Sequence, residues 1–336
     1  MNLIDYTLPR LRGLQRAAVW FAAASILLAT SGCSQKDIGL EASTPLPLHV
    51  MLMWELAPHA EVDGMSLYFL PLSEDFRFWR FDIAGMEGGE IEIPSGRYRL
   101  ITLNNDLPGI RVSPGDGGDG FRIIARPAGD DADGKRLMPS GMIYGDVVDA
   151  VEVSPCGVTY SLPDDATKVC PHSLVRCHPD SLSTIYTVLM RPADDSPTPR
   201  SVHASLDGVA TSLDPVEKVA YGPPGCLDFT LTPDSGRAAA DGDPLRFTGT
   251  SSGLGTPEGE PRFTLTLSAS MTDRKTYSKS FDVTAQVINS NTPHNVIIIL
   301  DDISFPPQST EDEDVGLSVG VDGWQQIEVF YDTSEM

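Results

Sequence analysis

The chain has 336 residues, 41% of them hydrophobic, with 30 Gly, 27 Pro and a formal charge of −23. That is apolar content enough for packed cores, and turn formers enough to disfavour long helices. The acidic balance argues against nucleic acid and against polybasic contacts with anionic membranes.

Arg10, Arg12 and Arg16 precede an uncharged apolar run from Ala17 to Ala29, and Thr30, Ser31 and Gly32 lead into Cys33. This is the layout of an export signal, too short and wrongly flanked for a stable membrane span. A cysteine after small residues, followed by SQKD, resembles a bacterial lipobox, in which the cysteine is lipidated and becomes the mature N-terminus. Thr30 stands where the usual pattern has Leu, and an ordinary cleaved signal peptide is the alternative. Removing residues 1–32 leaves roughly 300 residues, the length of two ordinary domains, and takes the charge to near −25.

Residues 33–47 read as a lipidated polar tether. From Leu48 the text is strand-like: Leu48–Glu55, Met65–Leu70, Phe76–Asp82, Glu90–Ile93 and Arg97–Asn104, with turn signals between them. In FRFWRFD the alternation puts Phe76 and Phe78 inward and Arg77 outward. The Asp/Gly-rich stretch Asp116–Lys135 encloses a strand, FRIIAR, and lacks the ligand spacing of a calcium loop. Ile143–Ser154 supplies one or two more strands. The cysteine- and proline-rich segment Pro155–Pro179 marks a boundary near residue 170, so the domains read as 48–170 and 171–336.

Further strands are expected at Ser183–Met190, within Ser201–Pro215, and at Leu227–Leu231, Leu245–Thr248, Arg262–Ser270, Tyr277–Val287, Asn295–Leu300 and Gln326–Tyr331. The run VIIIL, Val296–Leu300, is continuously apolar and reads as a strand buried on both faces. Many short strands in both halves give an all-β chain of two β-sandwich domains.

Four cysteines follow Cys33: Cys156, Cys170, Cys177 and Cys226. In an exported chain an even number suggests two disulfides, with three connectivities. Free thiols and a zinc cluster with His172 and His178 are the alternatives, the latter without the usual CxxC spacing. No catalytic set emerges. GTSSG, Gly249–Gly253, fits the nucleophile-elbow pattern but is followed by a poor helix start, so it reads as a loop. The histidines are scattered, no phosphate loop is present, and no metal or cofactor is expected. Trp54, Trp79 and Trp324 could form a glycan platform; core packing is the plainer reading.

Several stretches together resemble the FimB-type fimbrial anchor lipoproteins of Bacteroidales. They are WELAPHAEVDGMSLYFLP, GGEIEIPSGRYRLITLNND, ASLDGVATS, KSFDVTAQV, PHNVIIILDDISFP and VDGWQQIEVFYD. The carrying residues are Trp54, Gly64, Met65, Pro94, Gly96, Tyr98, Asn104 to Asp106, Phe281 to Thr284, His294 and Asn295. The resemblance covers nearly the whole mature chain. It implies two transthyretin-like β-sandwich domains, a lipid at Cys33, and a place at the base of a surface fimbria on the outer membrane. It implies fimbrial subunits as partners, joined by strand addition. Gln326, Ile327, Glu328, Val329, Phe330 and Tyr331 form the candidate exchanged strand, with an ordinary intrachain edge strand as the alternative. A surface glycan-binding lipoprotein is the second reading.

Overall fold

The structure is a computed structural model that describes residues 45–73, 78–115, 120–129, 134–155, 157–161, 167–170, 173–233, 246–292, 294–306 and 323–327. In chain order the first strands are β1 (Leu46–Leu52), β2 (Gly64–Pro71), β3 (Trp79–Ala84), β4 (Gly88–Ile93), β5 (Gly96–Asn104), β6 (Ile110–Ser113), β7 (Arg122–Ala125), β8 (Arg136–Leu137) and β9 (Tyr144–Ser154). Then come β10 (Gly157–Ser161), β11 (Thr167–Cys170), β12 (Leu174–Cys177), β13 (Asp180–Ser181), β14 (Thr184–Pro192), β15 (Ser201–Val209), β16 (Ser212–Asp214) and β17 (Val219–Tyr221). The series ends with β18 (Gly225–Pro233), β19 (Phe247–Gly253), β20 (Thr264–Ser270), β21 (Thr276–Asp282), a one-turn helix α1 (Thr284–Ile288), β22 (Asn295–Ile303) and β23 (Gln325–Ile327).

The fold is all-β, as the strand-and-turn text predicts. In the N-terminal half a three-stranded sheet, ordered β12-β1-β4, packs on a larger one ordered β11-β10-β9-β5-β2-β3. Leu48, Val50, Ile91, Ile93 and Val175 from the first meet Met65, Leu67, Phe69, Leu100 and Val151 from the second. Both faces of the larger sheet are covered. Its other side, through Tyr68, Ile101 and Leu103, packs with Ile110 and Ile123 and with Ala210, Leu213 and Leu254 from the second half. A four-stranded sheet, β17-β16-β7-β6, is itself assembled from both halves. Burial on both sides explains why β2 is apolar at nearly every position rather than alternating.

The C-terminal half is a sandwich of β22-β14-β19 against β18-β15-β20-β21-β23. The two sheets join only where β18 passes into β19, at Thr232↔Thr248 and Pro233↔Phe247. Its core contains Tyr186, Val188, Ile298, Leu206, Leu265, Leu267 and Phe263.

Some local expectations are corrected. β3 begins at Trp79 and turns Phe81 and Ile83 inward, while Phe78 is exposed. The register is opposite to the sequence reading because Arg80 occupies the other face, where it meets Ser66, Asp82 and the Tyr68 ring. GTSSG is strand β19 rather than a loop, and Ser251 is buried with no hydrogen-bond partner for its Oγ. The strand expected to run to Val287 ends at Asp282, where the Asp282 carboxylate accepts the Thr284 N–H at 3.0 Å and α1 begins. β12 pairs with β1, the first described strand.

The motifs behind the family resemblance have structural roles. Tyr98 donates its hydroxyl to the Pro94 carbonyl at 2.9 Å, and a Cβ at Gly96 would stand 3.0 Å from that hydroxyl. Asn104, buried at the end of β5, donates to the Met142 carbonyl at 2.9 Å and accepts the Tyr144 N–H at 2.8 Å. Thr284 of the FDVT element accepts the Phe263 N–H at 2.9 Å. His294 Nδ1 lies 3.1 Å from the Ser183 carbonyl.

Candidate functional site: the open side of the C-terminal sandwich

One side of this sandwich is closed by the β18–β19 passage. The opposite side brings together β22, the outer strand of one sheet, and β21 with β23 of the other. Among the described residues β22 has a single strand neighbour, β14, with which it runs parallel. It is not buried on both faces, contrary to the reading of VIIIL. Val296, Ile298 and Leu300 enter the core, whereas Ile297 and Ile299 are 47% and 49% exposed. Leu189, the register partner of Ile299, and Ile288 of α1 extend the apolar surface. A strand edge of this length, apolar on its outer face, is a ready template for another strand.

The edge is interrupted at two points: at its start the Asn295 N–H donates to the Thr292 carbonyl at 3.1 Å and the Asn295 carbonyl accepts from Thr292 Oγ1 at 2.6 Å, and further along it is met by α1. Gln286 of α1 accepts the Ile299 N–H at 2.8 Å through Oε1 and donates Nε2 to the Ile299 carbonyl at 3.1 Å. The side chain thereby supplies the two bonds that one residue of a neighbouring strand would make. α1 has no side-chain N-cap and is held by Val287 in the core. Hydrogen bonds from the Thr284 hydroxyl and N–H hold the Asp282 carboxyl below its ordinary value.

At the other end of this side lies Trp324, 1% exposed. Its ring stands 5.3 Å from Phe305, and its Nε1–H donates to the Ser304 carbonyl at 2.9 Å. From there β23 crosses to β21 and pairs antiparallel at Ser278↔Gln325, Tyr277↔Gln326 and Thr276↔Ile327. Gln326 and Ile327 of the candidate exchanged strand thus have intrachain partners. Glu328, Val329, Phe330 and Tyr331 lie outside the described residues.

Cys33 and residues 1–32 also lie outside them, as do Cys156 and the side chain of Cys170. Cys177 and Cys226 are free thiols in this structure. Cys177 is buried on β12, and burial pushes its thiol well above the ordinary value. Cys226, half-buried on β18, is raised by the same cause and lies 2.8 Å from Ser205 Oγ. Among the described residues no group of three potential ligands could hold a metal ion, and no helix is long and apolar enough to cross a membrane.

The tryptophans do not form a platform. Trp54 is half-buried, edge-on to Tyr144, with its Nε1–H on the Met86 carbonyl at 2.7 Å. Trp324 is internal, and only Trp79 is exposed among the three. Periodicity carried no sign of the open edge or of the Gln286 clasp, since both depend on which strand lies next to β22.

These features define an all-β protein of stacked sandwiches with an accessible sheet edge. Residues 32–215, more than half of the chain, match the family described as a domain of unknown function, DUF5119, and the chain belongs to that family. A curated relative from Bacteroides ovatus, named as a fimbrium anchoring subunit, is 30% identical over 89 residues. The match spans about a quarter of each chain, 26% of both. A solved structure from the same species, named as an adhesin, has a TM-score of 0.55 at 18% identity, covering 82% of this chain and 99% of that one. A second Bacteroides ovatus adhesin structure has a TM-score of 0.50 at 8% identity, covering 77% and 88%. The two structures show the fold. None of these relatives is named as an enzyme.

Proposed function

We propose that this chain is a non-catalytic outer-membrane lipoprotein that serves as an anchor or accessory subunit of a cell-surface fimbria. In this reading a lipid on Cys33 holds it, residues 33–47 form the tether, and 48–170 and 171–336 are its two sandwich domains. Its partners are fimbrial subunits, joined by strand addition. The curated relative named as a fimbrium anchoring subunit supports the assignment. The observation that carries the mode of joining is the β22 edge, which among the described residues has one strand neighbour and presents Ile297 and Ile299 outward. A strand laid along it gains main-chain hydrogen bonds and a side-chain ladder together. The candidate donor of this chain is Gln326–Tyr331, whose described part is held by three register pairs, with Trp324 as its pivot.

The test is made on fibres sheared from native cells and treated mildly with detergent. The chain is expected to stay with a high-mass polymer at far below one copy per major subunit, and its deletion is expected to release fibres from cells. Recovery only as a lipid-bearing monomer, never with polymer, overturns the fimbrial role.

A further inference from the structure

The described chain starts at Pro45 and passes at once into β1. β1 is an inner strand. On one side β4 runs antiparallel to it, from Leu46↔Ile93 to Met51↔Gly88. On the other, β12 runs parallel, from His49↔Leu174 to Leu52↔Cys177. The parallel ladder is bounded by His49 N–H donating to the Ser173 carbonyl and Met53 N–H to the Cys177 carbonyl, each at 2.8 Å. Leu48, Val50 and Leu52 are 0%, 0% and 5% exposed in the core beneath.

The direction of β1 matters as much as its neighbours. Its C-terminal end lies beside Cys177, where β12 leaves for the second half of the chain. There Glu55 Oε1 lies 2.8 Å from His178 Nδ1, and the Asp146 carboxylate accepts the His178 N–H at 2.7 Å. Leu46, where the chain enters, is at the opposite end of the strand.

We propose that β1, held between β4 and β12, is a shear clamp that carries tension between the chain preceding Leu46 and the C-terminal half. Tension at Leu46 draws β1 backward along its own axis. The opposing tension arrives through β13, which pairs with β9 at Asp180↔Gly145 and Ser181↔Tyr144, and draws β12 forward through Cys177. Parallel strands pulled from opposite ends slide past one another, so the ladder bonds are strained together instead of opening singly from one end. Each bond contributes little alone, and concerted loss is what makes the strand resist. Sliding also drags Leu48, Val50 and Leu52 out of register with their core neighbours. β23 shows the opposite geometry in the same molecule: a short antiparallel edge strand that peels from Ile327 one pair at a time. The inference relies on the anchor reading only for the source of the load.

Single-molecule force spectroscopy on the full chain tests it, with one handle at the N-terminus and one at Glu260. Glu260 is exposed, in the loop after Leu254, which packs where the two halves meet. The expected trace shows β1 released only together with the opening of the N-terminal sandwich. An early, low-force step that frees the segment from Leu46 to about Asp63 before the rest overturns the clamp. In a parallel ladder of this register the Val175 N–H points at β1 and the Arg176 N–H points away. The Met51 N–H, between the His49 and Met53 bonds, points at the Val175 carbonyl, and the Met51 side chain lies outside the core. Met51→Pro is therefore expected to shorten the lifetime under constant force roughly five- to tenfold, the effect of one lost ladder bond. Arg176→Pro, on the outer edge, should change it less than about twofold. Equal effects of the two substitutions also overturn the clamp. Forced unfolding reads the unfolding rate of the chain itself, so these traces do not depend on whether fibres co-purify, and the two readings fail separately.

Discussion

The carboxamide of Gln286 closes on both main-chain groups of Ile299, accepting at 2.8 Å and donating at 3.1 Å. A helix residue thereby occupies the position of a missing strand at the one point where α1 meets the β22 edge. Gln286→Ala is expected to bare both groups and raise concentration-dependent self-association, read by sedimentation velocity. Ile299→Lys, which places a charge on the same edge, is expected to suppress that association. If Gln286→Ala stays monomeric at every concentration at which it is soluble, the edge is not an associating surface.

Trp324 is the largest fully buried side chain described. Trp324→Ala is expected to cost about 3–5 kcal/mol in urea denaturation, the usual range for removing a core aromatic. The same change should loosen β23, because the indole fixes the segment just before Gln325. Faster hydrogen exchange at Gln326 and Ile327 than at the centre of β20 is the accompanying sign.

Asn104 fastens the end of β5 to the start of β9 through two buried hydrogen bonds. Asn104→Leu keeps the size and leaves the Tyr144 N–H and the Met142 carbonyl without that partner. A loss of about 1–3 kcal/mol is expected, seen as a lower denaturation midpoint with an unchanged slope.

Burial raises the Asp146 carboxyl above its ordinary value of 3.8, against the opposing effect of the His178 and Val147 N–H groups. The folded chain therefore holds this proton more tightly than the unfolded chain. Its contribution to stability is full below the ordinary value and is lost as pH rises through the folded value. The stability of the native chain relative to Asp146→Asn should accordingly fall as pH rises from below 3.8. Denaturation curves at several pH values measure it; a native chain that gains on the variant as pH rises has the wrong sign.

Cys177 and Cys226 are expected to resist alkylation in the native state at neutral pH and to react once the chain is denatured, Cys226 being the faster of the two under native conditions. Peptide mapping without reductant checks this directly. A bridge from either residue to Cys156 or Cys170 in protein taken from native cells would instead bear out the two-disulfide expectation.

Much of the fold is legible in the text, because alternation and turn residues are local properties. Pro94, Gly96 and Tyr98 mark a turn and the strand after it, and the structure adds only the closing hydrogen bond. What escaped is non-local. VIIIL looks buried on both faces because composition does not record whether a second layer covers the sheet; Ile297 and Ile299 lie on an outer face that stays exposed, as does Leu189 beside them. FRFWRFD changes phase at the adjacent Phe78 and Trp79, so one alternation places Phe76 and Phe78 inward and the other Phe81 and Ile83; β3 takes the second. The candidate site was least legible of all: Gln286 sits in a stretch that reads as strand and acts from a helix.

The pairing of β12 with β1 also sets a timetable. His49 meets Leu174 across some 125 residues of sequence, so β1 lacks one of its two neighbours until the chain has been made as far as Cys177. Contacts this distant close slowly. The N-terminal sheet, although first in order of synthesis, is completed only after the junction has emerged, and β6 and β7 wait longer still for β16.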